Sequence, residues 1–146
     1  MYERDLKYLQ LAESIGNIFS KDPNTKVGCV IVDPMTNRVV SMGYNGFPAL
    51  FDDSPELYAD RQYKLSRVIH AEMNAIIHSP TSVRGCNLYV SPLAPCSECA
   101  KNIIAAEIGQ VFVSLDPSRP IEQLTRELFN QSNRKLHIHE RKSHEG

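Results

Sequence analysis

The sequence predicts an α/β fold in which helices cover a largely parallel sheet. From residue 70 onward, segments with helical apolar spacing alternate with short β-type runs, which implies crossover connections between parallel strands. Before that point, two β-type runs flank a turn and predict a hairpin. The 146 residues suit one domain, residues 1–146, large enough to bury its own core.

The first half of the chain supplies one helix and the hairpin. Residues 2–20 predict a helix, because apolar residues recur at helical spacing from Leu6 onward, and the turn-forming sequence KDPN at 21–24 ends it. Residues 27–33 (VGCVIVD) predict a buried strand, and residues 38–43 (RVVSMG) its returning partner.

The second half supplies the alternating elements. Residues 44–66 predict an irregular segment with a short helix, and a connection this long in a compact domain is often functional. The polar tail at 140–146 predicts a frayed end. Between the irregular segment and the tail, the sequence predicts, in order, a helix at 70–78, a strand at 87–91, a helix at 97–107, a strand at 110–114, a helix at 119–130 and a strand at 135–140.

Composition and charge exclude several classes of protein. The net charge of −1, from 16 basic and 17 acidic residues, lacks the basic footprint of a general nucleic-acid binder. No apolar run approaches the roughly 20 residues of a membrane helix. The first residues, MYERDLKYLQ, are charged where a signal peptide is apolar. We therefore expect a soluble, cytoplasmic protein that binds neither nucleic acid nor membranes.

Two short segments predict a metal site. VIHAEMNAI contains His70 and Glu72, and LAPCSECAKNII contains Cys96 and Cys99. Cysteines three apart at a helix start share one face, and the helix N-terminus favours thiolates. Two cysteines and a histidine suit zinc, and three protein ligands leave the fourth position for a water whose pKa falls to about 7. Glu72, close to the metal without being needed as a ligand, is placed to move protons.

Each residue of this set also has a plainer interpretation. Cys-x-x-Cys alone is typical of a redox pair, but a redox pair does not explain His70 and Glu72. A structural zinc site needs a fourth ligand, and neither segment offers one. Alone, His70 is consistent with a core histidine and Glu72 with a solvated helix charge. The remaining cysteines and histidines are interpreted as core, structural or solvated residues: Cys29, Cys86, His78, His137, His139 and His144.

The combination His-Ala-Glu and Pro-Cys-x-x-Cys resembles the signature of zinc-dependent nucleobase deaminases. With KDPNTKVGCVIVD, GYNGFP and GCNLYV, residues 15–115 resemble the deoxycytidylate (dCMP) deaminase family, and GYNGFP is the discriminating segment. The resemblance implies a cytidine deaminase-like three-layer α/β/α fold with a five-stranded mixed sheet. It implies hydrolysis of dCMP to dUMP, feeding thymidylate synthesis, with zinc-bound hydroxide attacking C4 and Glu72 shuttling protons.

The resemblance also implies roles for individual residues. A catalytic zinc is expected on His70, Cys96 and Cys99, with the backbone amide of Ala71 on the pyrimidine and Asn45 on the deoxyribose. The family is commonly hexameric, activated by dCTP and inhibited by dTTP, with magnesium on the triphosphate.

The phosphate and effector contacts are left open by the sequence. Lys26 is either a point charge for a phosphate or a solvated lysine at a strand end. The effector candidates are Lys26, Asn45 and Gly46. Further basic candidates for a phosphate are Arg61, Lys64, Arg67 and Arg119.

The chain also departs from the family pattern, and alternatives to the leading function remain. Ala49 and Leu50 follow GYNGFP where a basic or polar residue and glycine are frequent, and residues 91–94 are one residue longer than usual, so the pocket wall there is expected to differ. The alternatives are another zinc nucleoside, nucleobase or tRNA deaminase of this fold, or a non-catalytic nucleotide-binding relative. Neutral charge and GYNGFP disfavour the tRNA enzyme, and the intact His-Glu-Cys-Cys set disfavours the non-catalytic relative.

Overall fold

The computed structural model describes residues 1–141 and places six helices around one five-stranded sheet in that part of the chain. The strands are β1 (Gly28–Asp33), β2 (Arg38–Tyr44), β3 (Asn87–Ser91), β4 (Gln110–Leu115) and β5 (Lys135–Glu140). The helices are α1 (Glu3–Phe19), α2 (Pro55–Ala59), α3 (Arg61–Arg67), α4 (Ala71–Ile77), α5 (Ser97–Ala105) and α6 (Gln123–Ser132).

The sheet is mixed, with strand order β2-β1-β3-β4-β5. Strand β1 is antiparallel to β2 on one side and to β3 on the other, whereas β3, β4 and β5 run parallel. The five-stranded mixed sheet is thus confirmed, and the parallel arrangement expected from the alternating elements holds only for β3, β4 and β5. The hairpin accounts for the difference, because it leaves β2 at the edge and the free side of β1 takes β3.

Two apolar cores lie on opposite faces of the sheet. Along β1, Val30 and Val32 pack in the core beneath α1, while Cys29 and Ile31 pack in the core beneath α4 and α5. This alternation follows from the period of two along a strand. Cys29 is fully buried, as expected for a small core residue, so β1 forms the floor beneath the helices that carry the metal-site residues.

Most element boundaries lie within two residues of those predicted, and three differences stand out. Helix α4 begins at Ala71, because His70 has extended backbone and serves as its N-cap. Helix α6 begins at Gln123 rather than 119, because Pro120 disfavours helical backbone in the residue before it. The irregular segment holds two short helices, α2 and α3, instead of one.

Glu140 closes β5, the backbone N–H of Arg141 donates to the carbonyl of Leu115, and residues 142–146 of the predicted tail, including His144, lie outside the described residues. Within residues 1–141, the helices are all too short or too polar to cross a bilayer.

Helices α2 and α3 are fixed to the body by aromatic and charged contacts. The Phe47 ring stacks on Tyr58 with centroids 4.2 Å apart and meets Tyr63 edge-on at 5.7 Å. The Lys64 ammonium lies 2.5 Å from a carboxylate oxygen of Asp22, which is fully buried. These contacts fix α3 on the body of the protein, three residues before α4 begins.

Candidate metal centre and active site

The predicted zinc ligands lie at the first turns of two neighbouring helices. His70 is the N-cap of α4 and Cys96 is the N-cap of α5, both with extended backbone. Cys99 lies within the first turn of α5, where its backbone N–H donates to the Cys96 sulfur over 3.5 Å. The helix starts therefore bring one imidazole and two sulfurs together from residues far apart in sequence.

The spacing of the three donor atoms fits zinc. His70 Nδ1 lies 3.3 Å from Cys99 Sγ and 3.5 Å from Cys96 Sγ, and all three atoms lie within 4.8 Å of one another. A tetrahedral zinc with Zn–N near 2.0–2.1 Å and Zn–S near 2.3 Å requires N···S separations of about 3.5 Å. In residues 1–141 this is the one His/Cys/Asp/Glu group with such spacing, and its three donors leave a fourth tetrahedral position for another ligand.

The three ligand side chains favour a thiolate at Cys96. The hydrogen bond from the Cys99 thiol, followed by that from His70, lowers the pKa of Cys96 to about 3. The same hydrogen bond, together with burial, raises the pKa of Cys99, and the bond to Cys96 raises the pKa of His70.

Glu72 lies beside the ligands but is not one of them. It is in the first turn of α4, two residues after His70, and only 4% of its surface is exposed. Burial raises the pKa of its carboxyl to about 7. A carboxyl with this pKa gains and loses a proton at neutral pH, as a general acid and base must.

A cavity of about 260 Å³ opens above these residues. Its lining includes His70, Ala71, Glu72 and Cys96, so a ligand in it reaches the metal centre and the carboxyl together. The other lining residues are Asp22, Thr25, Val27, Asn45, Arg61, Lys64, Leu65, Val68, Leu93, Ala94 and Arg119. Leu93 and Ala94 belong to the segment in which the sequence departs from the family pattern.

Asn45 and Ala71 both line the cavity. The Asn45 side chain accepts a hydrogen bond from the Val27 N–H (2.9 Å) and donates one to the Thr25 carbonyl (2.8 Å). These bonds use half of its capacity and leave one lone pair and one N–H. Ala71 is buried at the first position of α4, where the backbone N–H has no partner within the helix.

Lys26 is not brought to the cavity. Its ammonium donates to the carbonyl of Ser20, and its side chain is absent from the cavity wall. Arg67 also faces elsewhere, because its guanidinium lies 3.9 Å from the centroid of the Tyr63 ring. By contrast, Arg61, Lys64 and Arg119 reach the rim.

Sequence reasoning missed two polar residues of the cavity wall, Asp22 and Thr25. The carboxylate of Asp22 accepts hydrogen bonds from the N–H groups of Asn24 and Thr25 at 2.9 and 3.2 Å, which fixes the turn leading into β1. The sequence KDPNT is typical of such a turn, so the turn was predictable. Its position at the cavity was not.

A second cavity of about 460 Å³ lies behind Asn45. It is lined by Lys21, Tyr44, Gly46 and His78 among others, and Asn45 is shared by both cavities. Tyr44 stacks on Phe19 here, with ring centroids 5.6 Å apart.

Comparison with known proteins places this site among deaminases. The family model for the cytidine and deoxycytidylate deaminase zinc-binding region matches residues 2–115. The chain is 42% identical over 110 residues to a Caenorhabditis elegans protein named "Probable deoxycytidylate deaminase", covering 73% of this chain and 54% of that protein. It is 42% identical over 123 residues to the deoxycytidylate deaminase of Homo sapiens, covering 77% and 67%.

The matched region thus spans about half to two thirds of the length of these relatives. Among solved structures, the dCMP deaminase of the cyanophage S-TIM5, in complex with dCMP and dUMP, superposes with a TM-score of 0.75 at 24% identity. The match covers 97% of this chain and 99% of that one. At this identity the superposition shows a common fold.

Proposed function

The chain belongs to the cytidine and deoxycytidylate deaminase family, and on this premise we propose that it hydrolyses dCMP to dUMP and ammonia. The observation that carries the proposal is the buried carboxyl of Glu72 beside a three-donor metal centre, with both opening into one cavity. The two relatives at 42% identity, whose names specify deoxycytidylate as the substrate, support the choice among deaminase substrates.

In the proposed reaction the chain's own residues bind the base and move protons. When bound by His70, Cys96 and Cys99, zinc supplies Lewis-acid activation of water at neutral pH. Glu72 accepts a proton from the attacking water and passes it to N3 of the pyrimidine as the new C4–O bond forms. Glu72 then carries the second proton to the amino group, so that the C4–N4 bond breaks and ammonia leaves. The N–H of Ala71 orients the pyrimidine, and Asn45 uses its remaining hydrogen-bonding groups on the deoxyribose.

A substrate panel on protein of measured zinc content tests the proposal. We expect ammonia release from dCMP at a kcat/KM well above that for deoxycytidine or free cytosine. Equal kcat/KM values on all three would mean that the protein is a deaminase but that dCMP is not its specific substrate. Deamination of a tRNA adenosine, without activity on dCMP, would favour the tRNA enzyme of the same fold. Absence of turnover with zinc bound would favour a non-catalytic relative.

We further propose that dCTP activates and dTTP inhibits the reaction from the second cavity, with magnesium on the triphosphate. Support comes from Asn45, which lines both cavities. An effector in the second cavity therefore contacts a residue that also lines the catalytic cavity. Gly46 lies in the same wall, and its N–H bonds to the carbonyl of Ile69, next to His70. A dCMP saturation curve that is unchanged by either triphosphate would count against this regulation.

A homo-oligomer, and specifically a hexamer, is also proposed. Large apolar side chains are exposed near the second cavity, with Met42 48%, Phe19 45% and Ile77 61% exposed. Burying such side chains against another copy of the chain stabilises an assembly. Light scattering during gel filtration measures the mass, and a monomer across the micromolar range would contradict the proposal.

A further inference from the structure

Two arginines that line the catalytic cavity have no ion-pair partner within residues 1–141. Arg61, in α3, and Arg119, in the loop after β4, both line the cavity. Within residues 1–141 neither guanidinium has an ion pair or a hydrogen-bond acceptor. The nearby carboxylate of Asp116 accepts instead from the backbone N–H and hydroxyl of Ser118, at 3.0 and 2.8 Å.

The neighbouring cations are already committed to partners. Lys64 reaches the same cavity, but its ammonium contacts the buried carboxylate of Asp22 at 2.5 Å. Lys21 pairs with Asp53 at 3.0 Å, and the guanidinium of Arg67 donates to the hydroxyl of Ser66 at 2.8 Å. The net positive charge at the rim therefore comes from Arg61 and Arg119.

We propose that Arg61 and Arg119 together bind the 5′-phosphate of the substrate and set the preference for a nucleoside monophosphate over the nucleoside. This assignment rests on the proposed function. Ala71 and Glu72 are buried, whereas Arg61 and Arg119 are exposed, and all four line the same cavity, so a nucleotide whose base contacts the first pair can place its phosphate against the second. A phosphate monoester carries a charge of about −1.5 to −2 at pH 7, which two guanidinium groups balance. Guanidinium also binds phosphate through two parallel hydrogen bonds, which fixes its orientation.

Lys64 has a different part in this arrangement. Because Asp22 already neutralises its ammonium, Lys64 adds little net attraction for a phosphate. Asp22 is fully buried, so the pair holds α3, and with it Arg61, against the body of the protein. Lys64 is a positioning residue for the arginine on its own helix.

The test compares dCMP with deoxycytidine on zinc-loaded variants. Arg61→Ala and Arg119→Ala should each lower the ratio of kcat/KM for dCMP over deoxycytidine by about 10- to 100-fold, as expected for loss of a charge-assisted hydrogen bond. Arg67→Ala, on the same helix as Arg61, and Arg126→Ala, in α6, are matched controls. They should change the ratio by less than about twofold. An unchanged ratio in both rim variants, or an equal fall in the controls, would overturn the assignment.

Calorimetric binding of dUMP and deoxyuridine separates this inference from the proposed function. Wild-type protein should bind dUMP more tightly than deoxyuridine, and each rim variant should lose most of the difference. If no substrate is turned over but this pattern holds, the phosphate site stands and the deaminase proposal fails. If dCMP is deaminated but dUMP binds no better than deoxyuridine, the phosphate site is wrong and the deaminase proposal stands.

Discussion

Replacing Gly43 with alanine should separate the two helix starts that form the metal centre. Gly43 is in β2, directly beneath the first turn of α4. A Cβ at this position would lie 2.4 Å from the carbonyl oxygen of Ala71 and 2.5 Å from the backbone nitrogen of Ala75. Both obstacles are backbone atoms, so no side-chain rotation relieves them, and the strand and helix must move apart.

The size of the movement follows from the contact distances. Restoring an ordinary Cβ···O contact requires α4 to shift by about 1 Å from β2, and overpacking of this kind typically costs 1–3 kcal/mol. With backbone on both sides we expect about 3 kcal/mol, or a fall in Tm of about 10 °C for a domain of this size. His70 and Glu72 move with α4, whereas Cys96 and Cys99 belong to α5. Because metal–ligand distances tolerate about 0.2 Å, zinc should also be lost.

The assay is thermal unfolding together with zinc content after gel filtration. Gly46→Ala is the matched control, since the nearest atom to its Cβ is the Tyr58 hydroxyl at 3.5 Å, an ordinary contact. The control should melt within about 2 °C of wild type and retain its zinc. A Gly43→Ala protein with wild-type Tm and zinc content, or a Gly46→Ala protein equally damaged, would refute the reasoning.

Three further predictions concern single contacts. Lys64→Met leaves the buried Asp22 carboxylate unpaired and should cost about 3–5 kcal/mol in chemical unfolding, while adding Asp22→Asn should recover much of it; an additive double variant would contradict the ion pair. Tyr89→Phe removes the 2.6 Å bond to Asp5 and should cost about 1.5–3 kcal/mol at pH 7. Burial and Asp5 raise the pKa of Tyr89 above the ordinary value of 10.0, so the stability from this bond is fully present below pH 10 and is lost as the pH rises from there toward the raised pKa of the folded state; the two proteins should therefore converge in stability progressively above pH 10, and a constant gap would speak against this pKa. Cys99→Ser should retain less than about a tenth of the wild-type zinc, whereas Cys86→Ser, whose thiol is outside the metal centre, should retain all of it; equal retention would exclude Cys99 as a ligand.

Much of the fold could be predicted because its signals are local. The apolar period of α1 and the short runs of β1 to β5 are visible within windows of a few residues. The start of α6 was misplaced by the pattern, and the split into α2 and α3 was not visible in it. Helices this short are stabilised by tertiary contacts such as Phe47 on Tyr58, which no local pattern records.

The candidate site likewise has a part that the sequence predicts, the zinc ligands, and a part that it does not, the phosphate contact. His70, Cys96 and Cys99 form the predicted cluster because each stands at a helix start that the sequence marks by its own spacing. The predicted phosphate contact at Lys26 could not be judged from sequence. The turn into β1 directs its ammonium to the Ser20 carbonyl, away from the cavity.

The rim of the cavity was equally beyond local signals. Arg119 reaches it from the loop after β4, and Arg61 from α3, whose position depends on the long-range contact between Lys64 and Asp22. The sequence indicated Arg61, Arg119 and Lys64 as candidates for a phosphate. It did not show that Lys64 pairs with Asp22 whereas the two arginines have no ion pair within residues 1–141.

The central claim is that Glu72 moves protons for hydrolysis of dCMP at a zinc held by other residues. The most direct measurement is dUMP formation by wild type and Glu72→Gln, both at measured zinc content and with dUMP binding recorded as a control for the fold of the site. We predict that Glu72→Gln keeps its zinc and its affinity for dUMP, and loses at least about 1,000-fold in kcat, in the range of general acid–base catalysis. A Glu72→Gln protein with near-normal turnover, or one that loses its zinc along with its activity, would contradict the account.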